Sequence, residues 1–245
     1  MVNILDLPQT TVDSEKIIHQ KIFFKKVYEY FYEIFKINSQ NLPSGKKIEL
    51  GSGAGFIKKI IPEVITSDII KLPMCDKIIN AEKMPYRDNS LSGIYLLNTF
   101  HHIKNPRKAL TEFDRTLKKG GKVIMIEPYN SWLGKIIYKN FHYEGFDETI
   151  SEWKIKGKGP LSDANNALPS VIFERDRSKY QKLFPNLNLT VFTPHTPFLY
   201  LLSGGLKKTQ FVPSHTFNWF KYFEKFLSPF NKQIGMFVTI VLTKN

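Results

Sequence analysis

From residue 46 to residue 128 short apolar runs alternate with stretches of helical period. KKIEL (46–50), EVITSD (63–68), DKIIN (76–80), LSGIYLLN (91–98) and KVIMIEP (122–128) read as strands. Between them, FIKKII (56–61) reads as a short helix, and NPRKALTEFDRTLKK (105–119) as a long one that Gly120-Gly121 stops. In that helix Ala109, Leu110, Phe113 and Leu117 fall on one side. Strands alternating with helices imply parallel strands joined by right-handed crossovers, an α/β doubly wound sheet.

Outside this block the pattern changes twice. Residues 13–36, DSEKIIHQKIFFKKVYEYFYEIFK, predict one amphipathic helix capped by Asp13 or Ser14, with Ile17, Phe24, Val27, Phe31, Ile34 and Phe35 on its apolar face. Past residue 130, SWLGKIIYKNF (131–141) and RDRSKYQKLF (175–184) predict helices, while 142–173 shows little period and reads as an insertion. NLTVFTPH (188–195) is a strand, SHTFNWFKYFEKFL (214–227) an aromatic helix, and GMFVTIVLTK (235–244) a last apolar strand. The organisation expected is a helical extension over 1–45 and a main domain over 46–245, with 142–178 inserted after strand five.

Composition narrows the classes. A chain of 245 residues suffices for one large α/β domain with additions. With a single cysteine, Cys75, neither an internal disulfide nor a cysteine-built zinc site is expected. No apolar run is long enough to span a bilayer and no leader precedes the first helix, so the cytoplasm is the expected compartment. The formal charge is +13, yet only five of the 35 basic residues are arginine, the residue whose planar fork suits phosphates and guanine edges. Nucleic acid is therefore a secondary expectation, and solvated lysine the primary one.

The stretch LGSGAGF (50–56) places Gly51, Gly53 and Gly55 after the first strand. A strand feeding a glycine turn is how α/β sheets hold nucleotides at the carboxyl ends of their strands. The spacing excludes two ligands. A dinucleotide site wants a third glycine at position 56, which is Phe56, and a phosphate-binding loop of the Walker type wants Gly-Lys-Ser/Thr, which GAGFIKK lacks. A nucleoside without phosphates remains.

The constellation around this turn resembles the class I S-adenosylmethionine-dependent methyltransferases, and most closely their type 11 subgroup. Glu49, Gly51, Gly53 and Gly55 match the acidic residue and glycines of that family's first motif, and Asp68 in VITSDI matches its ribose-holding carboxylate. NAEKMPYRDNSLSGIYLLN (80–98) matches its segment from the adenine edge into strand four, with Asn80 for the usual aspartate and Ser92-Gly93 for Phe-Asp. The resemblance covers about 46–128. It implies a Rossmann-like, mostly parallel seven-stranded sheet and S-adenosyl-L-methionine as cofactor. Glu49, Gly51, Ser52, Gly53, Gly55, Asp68, Ile69, Asn80, Ala81, Glu82 and Asn98 are the expected cofactor contacts.

The chemistry implied is displacement on a sulfonium methyl group by an acceptor atom brought into line. His101 and His102, just past strand four, are candidate bases, and Tyr129 a candidate for the acceptor pocket. After strand four the chain reads NTFHH rather than the N/D-P-P-Y/F of amino-methylating enzymes, and no Pro-Cys nucleophile exists. A small-molecule, carbohydrate or lipid-linked acceptor is the leading expectation, without a metal. Transfer RNA methylation and a non-catalytic binding protein are the alternatives, and peripheral membrane contact through the aromatic helices is a further partner expectation.

Overall fold

The computed structural model describes residues 3–157, 159–207 and 209–245. Two helices come first, α1 (Pro8–Gln20) and α2 (Ile22–Asn38), where the periodicity predicts one. The break is Lys21, at φ −90° and ψ 90°. It is held open because the free Phe23 N–H at the start of α2 donates to Gln210 Oε1 at 3.0 Å, a partner from the far end of the chain. Pro8 opens α1 one residue inside its start, and Asp13 and Ser14 lie within the helix rather than capping it. Phe23, Phe24, Val27, Phe31, Tyr32 and Phe35 of α2 are buried on a single face.

That face lies on a seven-stranded sheet. Its strands are β1 (Lys46–Leu50), β2 (Val64–Asp68), β3 (Lys77–Ile78), β4 (Leu91–Leu97), β5 (Leu117–Pro128), β6 (Leu187–His195) and β7 (Phe237–Lys244). The spatial order is β3-β2-β1-β4-β5-β7-β6. β1 pairs parallel with β2 and β4, β2 with β3, and β4 with β5. β7 runs antiparallel between β5 and β6. This is the Rossmann-like, mostly parallel sheet that the sequence implies, and the order reverses at β1 and β4, where such sheets bind ligands.

The crossover helix α3 (Pro106–Thr116) starts on Asn105, whose side chain accepts from Lys108 N–H, and on Pro106. It ends earlier than periodicity predicts. Leu117 leaves helical geometry to pair with Leu91, so β5 is twelve residues long and Gly120, at φ +75°, turns within it instead of ending the helix. FIKKII shortens to a single 3-10 turn at Ile57–Lys59. Beyond β5 lie α4 (Trp132–Asn140), a three-residue turn α5 (Leu168–Ser170) running into a π-helical turn, and α6 (Arg177–Leu183). After β6 come α7 (Leu199–Leu202) and α8 (Phe217–Phe226).

One apolar core fills the α3 side of the sheet, with Ile48, Leu96, Phe113 and Val123 fully buried beside Trp153 of the insertion. The other lies under α2, where Phe31 meets Phe237 at 5.1 Å between ring centroids and Phe35 meets Tyr95 at 5.5 Å. Among the described residues no helix is long and apolar enough to cross a membrane.

Candidate active site

The turn after β1 is built by backbone geometry. Gly51 has φ +64°, and a Cβ added there would stand 2.3 Å from Thr99 Cγ2. Glycine is thus required twice, by conformation and by space. Ser52 ties the turn to β2: its N–H donates to Ser67 O at 2.8 Å, and its Oγ accepts from Ser67 N–H at 3.1 Å. Gly53 N–H donates to Asp68 Oδ2 at 3.1 Å, while Asp68 Oδ1 accepts from Ile70 N–H at 3.2 Å. The third glycine has a further structural role: a Cβ at Gly55 would lie 2.1 Å from the Tyr32 hydroxyl, so this glycine also makes room for α2. Tyr32 then donates nothing to the turn but accepts from Phe56 N–H at 3.2 Å.

Above the carboxyl ends of β1, β2 and β4 lies a cavity of about 850 Å³. It is in the size range of pockets that enclose whole small molecules. Gly51, Ser52, Gly53, Gly55, Asp68, Ile69, Asn80, Ala81, Glu82 and Asn98 all line it, and so do His101 and His102. Glu49 does not. It stands one residue before the lining, 1 % exposed, and neither carboxylate oxygen has a hydrogen-bond partner among the described residues. Burial, with the negative charge of Asp68 nearby, pushes its carboxyl up to about 7. Burial likewise raises Asp68, against the backbone N–H groups that hold it down.

Three further polar groups differ from expectation in detail. Asn80 Oδ1, the carbonyl expected to face an adenine amino group, accepts from Glu82 N–H at 2.8 Å and has one lone pair left. Glu82 Oε1 accepts from Asn105 N–H at 2.8 Å, fixing the start of α3. Asn98 closes β4 at φ +51°, a conformation asparagine tolerates better than most residues, and its buried Oδ1 is unpartnered among the described residues.

The opposite end of the cavity is made of side chains. His101 is buried, with Nδ1 2.6 Å from Glu127 Oε2 and Nε2 3.3 Å from Glu144 Oε2. Burial lowers its basicity, and Glu127 and Glu144 more than reverse this, to about 9. Glu127 is itself anchored at Oε1 by Thr99 N–H and Phe100 N–H, both at 2.8 Å. His102 Nε2 lies 3.5 Å from Glu144 Oε1, and burial and the neighbouring His101 charge take it down to about 4. His142 Nδ1 is 3.7 Å from Glu144 Oε2. An imidazole held by carboxylates at both nitrogens has no free lone pair for an acceptor proton, whereas His102 Nδ1 is buried without a partner among the described residues.

Sequence reasoning missed Glu127, His142, Glu144 and the lining tyrosines Tyr28, Tyr32, Tyr138, Tyr143 and Tyr200. Glu127 carried a signal, since a carboxylate closing an apolar strand needs partners. Glu144 carried none, because it sits in the insertion without period. Tyr129, which the sequence leaves open between the acceptor pocket and packing, is 4 % exposed in the core, its hydroxyl donating to Glu174 Oε1 at 3.3 Å. The roof is closed by Asp6, which accepts from Leu161 N–H, Ser162 N–H and Ser162 Oγ, each at 2.8 Å. Leu5, Thr10, Thr11 and Ser14 of the amino-terminal segment line the cavity beneath that tie.

Residues 48–125 match the family described as Methyltransferase domain, type 11. An uncharacterised protein of Methanocaldococcus jannaschii is 33 % identical over 137 residues, covering 48 % of this chain and 66 % of that protein. The chain thus matches just under two thirds of the length of this curated relative. Among solved structures, an S-adenosylmethionine-dependent methyltransferase of Thermotoga maritima is 18 % identical with a TM-score of 0.53, covering 95 % of this chain and 99 % of that one. Geranyl diphosphate C-methyltransferase of Streptomyces coelicolor, solved with Mg2+, geranyl diphosphate and S-adenosyl-L-homocysteine, is 12 % identical with a TM-score of 0.52, over 95 % and 85 % of the two chains. At such identities the structures speak for the fold. Residues 48–125 thus match a methyltransferase domain, and the chain shares the fold of these S-adenosylmethionine-dependent methyltransferases, with the glycine turn in its place.

Proposed function

We propose that the protein transfers a methyl group from S-adenosyl-L-methionine to a small-molecule acceptor seated in the aromatic end of the cavity. The observation that carries this is the unpartnered Glu49 carboxylate, buried immediately behind a glycine turn that Asp68 faces. A buried carboxyl without a donor is stabilised as an anion by a nearby positive charge, and the cofactor's amino acid end and sulfur are both cationic. The residues therefore fit the group. Asp68 has lone pairs left for two ribose hydroxyls, Asn80, Ala81, Glu82 and Ile69 border the base, and Ser52 and Asn98 flank the middle of the cavity.

When bound, the cofactor supplies a methyl group already activated by the charge on sulfur. The chain's own part is to seat the acceptor and exclude water. Tyr28, Tyr138, Tyr143, Tyr200, Phe141 and Phe211 give that end apolar walls with phenolic tips, which suits an acceptor with an apolar or aromatic body. His102, uncharged at neutral pH, is the candidate to take a proton from the acceptor. On the outer surface α8 exposes Trp219, Tyr222 and Phe226 beside Lys221 and Lys225, a face suited to an anionic bilayer carrying a lipid-linked acceptor.

Calorimetry with S-adenosylmethionine and S-adenosylhomocysteine tests the reading. One site per chain is expected, and absence of binding by both ligands refutes it. Co-sedimentation with phosphatidylglycerol vesicles tests the bilayer contact, which full recovery in the supernatant would exclude.

A further inference from the structure

We propose that His101, His102 and Glu144 form a binding site for a divalent transition-metal ion, open to the acceptor end of the cavity. Each residue offers one donor atom, and the three lie within 4.8 Å of one another. His101 Nε2 addresses Glu144 Oε2 at 3.3 Å, and His102 Nε2 addresses the other oxygen of the same carboxylate at 3.5 Å. Donors around a tetrahedral ion with bonds of about 2.0–2.1 Å stand roughly 3.3 Å apart, so these spacings already approach the edges of a coordination shell.

The surroundings match a metal centre in a second, independent way. A metal-bound histidine almost always gives its other ring nitrogen to a carboxylate, which fixes the ring and makes it a better ligand. His101 Nδ1 has that partner in Glu127, at 2.6 Å, and Glu127 is held rigid by two backbone N–H groups. The side chains of Glu127 and Glu144 are 0 % and 8 % exposed, so two carboxylates converge on one cluster with almost no water to share their charge. The imidazoles of His101 and His102, 4.3 Å between centroids and tilted by 40°, present their Nε2 atoms on the same side, toward Glu144.

Two imidazoles and one carboxylate favour Zn2+, Fe2+, Co2+ or Ni2+ over Mg2+ and Ca2+, which take oxygen shells. All three ligands line the cavity, so the coordination positions they leave empty face the space where an acceptor would sit. An acceptor hydroxyl or thiol bound there would be acidified by the ion, in place of proton transfer to His102. That use rests on the methyl-transfer reading, whereas metal binding itself does not. No spacing along the chain announces the set: Glu144 is in the insertion, and the sequence alone led us to expect no metal.

The experiment uses the full chain, freed of metal with a chelator and dialysed. Zn2+ is added in a calorimeter, and Co2+ is followed by its visible d–d absorption. One equivalent of each per chain is expected, with the Co2+ spectrum of a four- or five-coordinate ion. Glu144→Gln and His102→Ala should abolish the spectrum, and Glu127→Gln should weaken Zn2+ affinity about 10- to 100-fold. S-adenosylmethionine binding by the same variants reports that they are folded. Failure of the parent protein to take up either ion, or full uptake by both ligand variants, overturns the proposal. Metal uptake without S-adenosylmethionine binding would sink the methyl-transfer reading and leave the site standing; the reverse result would do the opposite.

Discussion

At one end of the cavity main-chain groups make most of the polar contacts, and at the other side chains make them. Around the glycines, Gly53 N–H, Ile70 N–H and the Ser52–Ser67 pair fix Asp68 and the turn. Around the histidines, Glu127 and Glu144 hold three imidazoles through side-chain contacts, with Glu127 anchored by backbone N–H groups behind them. The two buried carboxylates that matter differ accordingly. Glu49 has no hydrogen-bond partner among the described residues and is driven toward its neutral form, while His101 and its neighbours hold Glu144 far below the usual carboxylate range despite its burial. A backbone-built cradle tolerates side-chain change around it but no change of its glycines. A side-chain cluster is sensitive in the opposite sense.

The sharpest test of that contrast is Gly51→Ala. Positive φ and the contact with Thr99 together should cost about 2–4 kcal/mol of stability, read by urea denaturation; a loss below 0.5 kcal/mol, taken as roughly the level of a neutral surface change, would show that the turn is not rigid.

Glu49 comes next. Its folded pKa lies above the unfolded value of 4.5, so the folded state binds the proton more tightly and stability falls as pH rises from about 4.5 to 7. The fall from this one group is roughly 3 kcal/mol at most. Glu224, also raised to about 7 by burial, adds a fall of the same sign. Denaturation profiles of Glu49→Gln should therefore keep only part of the slope between those pH values. An unchanged profile would mean that Glu49 is solvated.

Asp68→Ala removes two charge-assisted bonds expected to the ribose, worth roughly 1.5–3 kcal/mol each. Compensation by water should leave a 10- to 100-fold loss of S-adenosylmethionine affinity by calorimetry, about 1.4–2.8 kcal/mol. Equal affinity would place the sugar elsewhere. The smallest effect belongs to Tyr32→Phe, which strands the buried Phe56 N–H for about 1 kcal/mol in thermal melts. A change in ligand affinity as large as that of Asp68→Ala would show that the two ends are not independent.

How much was legible follows the same division. The fold and the glycine end were readable because they depend on local backbone demands: strand runs, a turn at positive φ, a carboxylate at a strand end. Every expected cofactor residue but Glu49 came to line one cavity. The histidine end was half readable. His101 and His102 adjoin β4 and stand out as titratable residues, but their partners come from the end of β5 and from an insertion that has no period. Tyr28 and Tyr32 were hidden because a residue of an apolar helix face gives no sign of whether it meets core or cavity. The single helix expected over 13–36 failed at Lys21 because its cause, Gln210, is 189 residues away in the chain. The 105–119 helix failed at Leu117 because strand pairing with Leu91 outweighed helical propensity.

The Asp6 tie joins the first turns of the chain to residues 161 and 162, more than 150 positions later. Closing a loop of that length costs chain entropy, which the three hydrogen bonds to Asp6 must offset. The cavity roof therefore depends on the amino-terminal segment, and trimming that segment should loosen ligand binding even though nothing near the glycines is touched.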